Sequence, residues 1–221
     1  PDFNTETLRY TYTSLKIPYS VFEYNMKKRE NKLVNRKEVL GGYDPSEYES
    51  ERLWALANDG TKIPISIVYK KGLKKNGKNP VYIEGYGAYG YSSYPDFNTI
   101  RLNFLDRGFI YAIAHVRGGS DLGRQWYDDG KLLKKKNTFT DFISCVEYLI
   151  NKKYTSKGLI AAKGTSAGGL LAGAITNMKP DLFKLVILNV PFVDVINTML
   201  DPNIPLTTQE YEEWGNPNDP R

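Results

Sequence analysis

The 221-residue sequence predicts an α/β protein built on a mostly parallel sheet with flanking helices. Three observations predict it. From Pro80 onward, short apolar strand patterns alternate with helical ones, the signature of strand–helix–strand units. Thr138–Ile150 is one amphipathic helix, with Phe139, Phe142, Ile143, Val146, Leu149 and Ile150 along a single face. Between two apolar runs lies G-T-S-A-G (164–168), which needs a strand before it and a helix after it.

Residues 1–50 come first and differ in character. L-R-Y-T-Y-T-S and Y-S-V-F-E-Y-N-M alternate apolar and polar residues around K-I-P, as two antiparallel strands do. K-K-R-E-N-K reads as a polar turn and G-G-Y-D-P-S as a break. Two strands cannot hold a core of their own, so residues 1–50 are expected to end a preceding β domain or to form a flap. Residues 51–221 are expected to hold the main domain.

In that domain Glu51–Ala57 and Ile63–Tyr69 flank N-D-G-T, a hairpin signal. Pro80–Gly85 is a short strand entering a Gly/Tyr-rich loop. Ile100–Arg107 is a short helix, and Gly108–Val116 a buried strand followed by R-G-G-S-D-L-G. Thr138 with Asp141 resembles a capping box opening the long helix. Leu159–Lys163 and Lys184–Val190 are the strands on either side of the G-T-S-A-G helix. Ligands in such sheets bind at the carboxyl ends of the strands, so Ser166 and the Gly/Tyr loop should open on one face.

The chemistry centres on Ser166. Gly164 and Gly168 flank it where a side chain would crowd a sharp turn, and the turn lifts its hydroxyl above the sheet. The Ala167 N–H opens the following helix, where an oxyanion can sit. Gly168, Gly169, Ala172 and Gly173 would let that helix lie close on the sheet. A plain Gly-rich turn bearing a surface serine is the alternative. A serine nucleophile needs a base, usually His held by a carboxylate. The one histidine, His115, precedes the serine, whereas the order in this arrangement is Ser, acid, His.

Composition narrows the class. Net charge is +5, but Lys27–Arg29, Lys70–Lys78, Lys131–Lys136 and Lys152–Lys157 fall at expected loops or helix ends without interleaved stacking aromatics. They read as solvated surface, not a nucleic-acid face. No apolar run reaches the roughly 20 residues of a membrane span. The single cysteine, Cys145, lies in the long helix pattern as a buried thiol and fits a reducing, cytoplasmic setting.

Longer motifs carry a resemblance: G-Y-G-A-Y-G (85–90), R-G-F-I-Y-A-I-A-H-V-R-G-G (107–119), the G-R-Q-W-Y-D-D-G-K run (123–142), G-T-S-A-G-G (164–169), and V-P-F-V-D-V through Q-E-Y-E-E-W-G-N-P (190–217). Over essentially its whole length the chain resembles the catalytic domain of the prolyl oligopeptidase family of serine peptidases, its oligopeptidase B branch in particular. The resemblance implies an α/β-hydrolase domain preceded by the last strands of a β-propeller. It implies that Ser166 attacks and that Tyr86, beside the Ala167 N–H, completes the oxyanion hole. Glu210 and Glu212 match acids that hold a basic P1 side chain, and Asp96 matches an acid linked to P2 preference. The partner acid position is Tyr94, which weakens any second basic preference, and Glu84 replaces a frequent tyrosine. The family's Asp and His would lie beyond Arg221.

The expected function is hydrolysis of short peptides after Arg or Lys through an acyl-enzyme on Ser166, with no cofactor, metal, nucleic acid or membrane. The 221 residues alone are expected to be inactive. The alternatives are a catalytically dead module and another hydrolase such as an esterase. His115 is expected to be a satisfied structural histidine, and Arg117 to order its loop. Oligomeric state is not legible.

Overall fold

The computed structural model describes residues 2–219. Its main sheet has six strands in the order β4-β5-β7-β6-β8-β9. The N-D-G-T signal forms its hairpin between β4 (Tyr48–Leu56) and β5 (Lys62–Lys70), with Ala55 opposite Ile63. Asp59 Oδ1 accepts from Thr61 N at 3.0 Å and closes the turn. β5 pairs antiparallel with β7 (Ile110–Ala114), and from there the sheet is parallel: β7 to β6 (Val81–Glu84), β6 to β8 (Ile160–Thr165), β8 to β9 (Leu185–Asn189).

Both faces of the central strands are buried, which is why they read as continuous apolar runs. On one face Ile65, Ile83, Ala112 and Ala162 pack beneath α3 (Lys136–Asn151) and α4 (Ala167–Met178), through Phe142, Val146, Leu171 and Ile175. On the other, Val68, Tyr111 and Ile113 meet Leu105 of α1 (Thr99–Leu105), together with Leu15 and Tyr48; two further short helices are α2 (Arg124–Asp128) and α5 (Val195–Leu200). Cys145 is fully buried, as expected, and burial pushes its thiol well up.

Two expectations are corrected. The polar run after Asn25 is not only a turn, because Glu30–Arg36 forms a third strand, β3, on β2 (Ile17–Asn25), itself paired with β1 (Thr7–Ser14). All seven residues of β3 are exposed, so no apolar alternation marked it; backbone pairing alone makes it a strand. The second correction concerns α3, which begins at Lys136, before Thr138, and has no side-chain cap. Thr138 Oγ1 instead donates to Arg117 O at 2.7 Å, and Asp141 accepts from Arg117 N, Nε and Nη2 at 3.0, 2.8 and 2.6 Å. Tertiary partners have taken both groups.

Candidate active site

β8 ends in a turn whose stereochemistry isolates Ser166. Its φ of 55° and ψ of −120° lie in a region that costs a non-glycine residue about 1–3 kcal/mol. The surroundings impose that conformation. Ser166 N donates to Asn189 O at 3.0 Å, and Ser166 O accepts from Gly169 N at 2.8 Å and Phe192 N at 2.9 Å. The chain closes so tightly that a Cβ on Gly164 would sit 1.8 Å from Gly168 O, and one on Gly168 would sit 2.7 Å from Gly85 O. A Cβ on Gly173 would meet nothing nearer than Val193 Cγ1 at 3.8 Å, so that glycine is not among the close contacts. The result is an exposed Ser166 on a buried turn.

Ala167 is the first residue of α4 and is buried. As the first residue of the helix, its N–H has no partner within it. Tyr86 follows β6, and its hydroxyl interacts with Ser166. Burial pushes the Tyr86 phenol up, and the serine contact pulls it partly back; at neutral pH it is an O–H donor. Ser166, Tyr86 and Ala167 therefore lie together. A cavity of about 220 Å³ adjoins them, lined by Glu84, Gly85, Tyr86, Tyr91, Ser93, Lys163 and Thr165.

The acidic segment separates its three carboxylates. Glu210 is half-buried, and its Oε2 accepts from Tyr89 Oη at 3.0 Å and Trp214 Nε1 at 2.9 Å. The Tyr89 ring stands 6.3 Å from that of Tyr86, so Glu210 is linked to the serine through two aromatic residues. Glu212 is exposed on the short helix α6 (Tyr211–Trp214). Glu213 is buried and lies 3.4 Å from Lys135 Nζ. Neither Glu213 nor Lys135 stood out in the sequence, where E-E and K-K-K look like solvated surface; the aromatic Trp214 beside the acids was the available signal. Asp96 is exposed and lines a different hollow, with Thr13, Tyr19 and Phe97, against the three-stranded sheet.

His115 is indeed satisfied. Its Nδ1 faces Asp121 Oδ1 at 2.7 Å, and its Nε2 faces Ser66 Oγ at 2.8 Å and Arg52 Nη1 at 2.7 Å. Ser66, His115 and Asp121 have the connectivity of a catalytic triad, but serine and histidine are 5% and 2% exposed. Arg52, which can only donate, takes the Nε2 lone pair that a base would use. His115 is thus no base for Ser166. Arg117 bridges Asp141 and Asp59, reaching Asp59 Oδ2 at 2.6 Å, and orders its loop as expected. Among the described residues no group of acids, His or Cys has metal-binding geometry, and no helix is long and apolar enough to cross a membrane.

Known proteins are similar to this chain in sequence and fold. The sequence signature of the Prolyl oligopeptidase family matches residues 95–221. The chain is 51% identical over 220 residues to dipeptidyl aminopeptidase BI of Pseudoxanthomonas mexicana, covering 99% of this chain and 30% of that one. It is 46% identical over 215 residues to Protease 2 of Moraxella lacunata, covering 97% and 31%. Oligopeptidase B from Leishmania major matches the structure with a TM-score of 0.89 at 50% identity, over 99% of this chain and 30% of that one. Prolyl oligopeptidase B from Galerina marginata matches with a TM-score of 0.90 at 29% identity, over 100% and 31%. The chain thus spans about three-tenths of the length of these relatives.

Proposed function

Because the chain belongs to the prolyl oligopeptidase family, we propose that it carries the nucleophile, oxyanion hole and P1 acids of a serine peptidase that cleaves short peptides after Arg or Lys. The observation that carries this reading is the strained, exposed Ser166 that meets the Tyr86 hydroxyl and is followed directly by Ala167 at the start of α4. Ser166 Oγ attacks the scissile carbonyl carbon while a base takes its proton. The carbonyl oxygen becomes an oxyanion that receives hydrogen bonds from Tyr86 and Ala167. As the C–N bond breaks, the proton passes to the leaving amine. Water then attacks the acyl-enzyme and frees the acid.

With His115 committed elsewhere, the base and its carboxylate belong to the rest of a family-length chain, and the 221 residues alone are inactive. β1–β3 are assigned to the end of a preceding β-propeller. For P1 recognition, Tyr89 and Trp214 hold one oxygen of Glu210 and leave the other without a protein donor among the described residues. A guanidinium or ammonium can pair with it. Glu212, exposed on the same segment, is kept as the second acid for a basic P1 side chain. Asp96 is kept as a P2 contact, reached once the substrate extends toward the three-stranded sheet.

The test uses the family-length enzyme and fluorogenic peptides that differ only at P1. Truncating one partner of a desolvated charge pair costs about 2–5 kcal/mol. Glu210→Gln and Glu212→Gln should therefore lower kcat/KM for Arg and Lys peptides by about 30-fold to several-thousandfold, with neutral peptides little changed. Ser166→Ala should abolish both hydrolysis and fluorophosphonate labelling. A uniform fall across all peptides in the Glu variants would make these acids part of the fold rather than readers of the substrate.

A further inference from the structure

Behind the acidic segment lies a largely buried ammonium that the reaction does not use. The Lys135 side chain is 13% exposed and that of Glu213 is 3% exposed. Lys135 Nζ donates to Gly87 O at 2.5 Å, approaches Glu213 Oε1 at 3.4 Å, and lies over the Trp214 ring, 4.8 Å from its centroid. Gly87 follows Tyr86 directly in the chain. Trp214 donates through Nε1 to Glu210 Oε2 and to Tyr89 Oη, at 2.9 and 3.1 Å. One amine therefore holds the base of the Tyr86 arm and the back of the Glu210 segment, which are more than 120 residues apart in sequence.

A packing role alone would not call for this group. A buried ammonium is costly unless well paired, and an apolar residue of similar volume is often as stable or more so. Glu213 answers it with Oε1 and also interacts with the Tyr127 hydroxyl, while its buried Oε2 has no partner within ordinary hydrogen-bond distance. Burial also pushes the Lys135 amine down, and Glu213 opposes that shift. The arrangement spends stability on a fixed geometry.

We propose that Lys135, neutralised by Glu213, is a positioning residue that fixes the Tyr86 hydroxyl relative to the Glu210 carboxylate. Binding of a cationic P1 side chain and stabilisation of the oxyanion then act as one unit. The inference rests on the reading of Ser166, Tyr86 and Glu210 given above.

The experiment compares Lys135→Met, Glu213→Gln, the double variant and Lys135→Arg in the family-length enzyme. It reads urea midpoint, kcat and KM for peptides with Arg or a neutral residue at P1. Lys135→Met leaves Glu213 charged and buried, so both stability and rate should fall. The double variant removes the lone charge, and its urea midpoint should return to near wild type. Its kcat for the Arg peptide should stay about 10- to 100-fold down, with KM within roughly threefold and a reduced Arg-to-neutral ratio. Combining Lys135→Met with Tyr86→Phe should cost less than the product of the two separate losses, by about threefold or more. Recovery of kcat together with stability in the double variant, or strictly multiplicative losses with Tyr86→Phe, would overturn the proposal. Should Lys135→Met not fold, Lys135→Arg carries the test: its planar head keeps the charge but cannot reproduce the same three contacts. It should then fold with kcat about 10-fold down or more, and a wild-type kcat would reject the proposal. If wild type shows no preference for Arg at P1, or Ser166→Ala still hydrolyses, the underlying site reading fails instead.

Discussion

Ser166 can be strained and still populated because Asn189, Gly169 and Phe192 hold its backbone from three sides. The neighbouring glycines divide by what surrounds them. Gly164→Ala would place a methyl 1.8 Å from Gly168 O, so the turn must open. We expect a loss of folding stability and of fluorophosphonate labelling at Ser166. Gly173→Ala gains only an ordinary contact with Val193 Cγ1 at 3.8 Å in the interior of α4, where Ala is favoured over Gly by about 1 kcal/mol. Its unfolding midpoint should hold or rise while labelling is unchanged. On the proposed reading, Tyr86→Phe in the family-length enzyme deletes one oxyanion donor, which should lower kcat by about 10²–10³-fold with little effect on KM. A fall in KM-dependent binding alone would remove Tyr86 from the transition state.

Among the elements, the join between the 117–123 loop and α3 carries the most concentrated electrostatics. Asp141 is fully buried. Burial pushes its carboxyl above the usual range, and three hydrogen bonds from Arg117 oppose that shift. Removing one partner of such a pair costs about 3–5 kcal/mol, so Asp141→Ala should lower stability by about that much in urea titration, with the helical signal of the folded state retained. Asp59 is the exposed arm of the same network. Burial works against its charge, but hydrogen bonds from Arg117 and Thr61 outweigh it and hold the carboxyl at about 2, against 3.8 ordinarily. A depressed folded value means that the unfolded chain binds the proton first. The contribution is therefore present above pH 3.8 and is lost as pH falls toward about 2. The difference in urea midpoint between wild type and Asp59→Asn should shrink across that window. A constant difference would show that the carboxylate charge is not what matters.

At the scale of the whole molecule, β9 is the edge of the six-stranded sheet among the described residues. Leu185 and Leu188 are 53% and 45% exposed there, and Val190 just beyond is 74% exposed. An apolar edge with free backbone groups pairs readily with another chain. The polypeptide of these 221 residues, expressed by itself, should self-associate in sedimentation experiments, and Leu188→Lys should reduce that association. A compact monomer at high concentration would show that this edge is adequately protected.

Much of the sheet was legible from residue order because its causes are local. The N-D-G-T hairpin, the apolar face of α3 and the stereochemistry of G-T-S-A-G each depend on neighbours a few positions away. β3 was hidden because it buries nothing, and Thr138 and Asp141 misled because a capping sequence and a tertiary anchor use the same polar groups. The site divides in the same way. Ser166 and Ala167 follow from a short motif, whereas E-Y-E-E gives no hint that one acid meets aromatics, one solvent and one a buried lysine.

The sequence by itself determined the strand–helix alternation of the main sheet, the G-T-S-A-G turn and the place of the one histidine, His115, ahead of that turn. Only the tertiary structure decided that His115 is occupied, that Glu213 and Lys135 form a buried pair, and which carboxylate stands nearest the tyrosines. The physical reason is range. Periodicity and turn geometry act between near neighbours, but charge pairing and burial depend on which distant segments the packed core brings together.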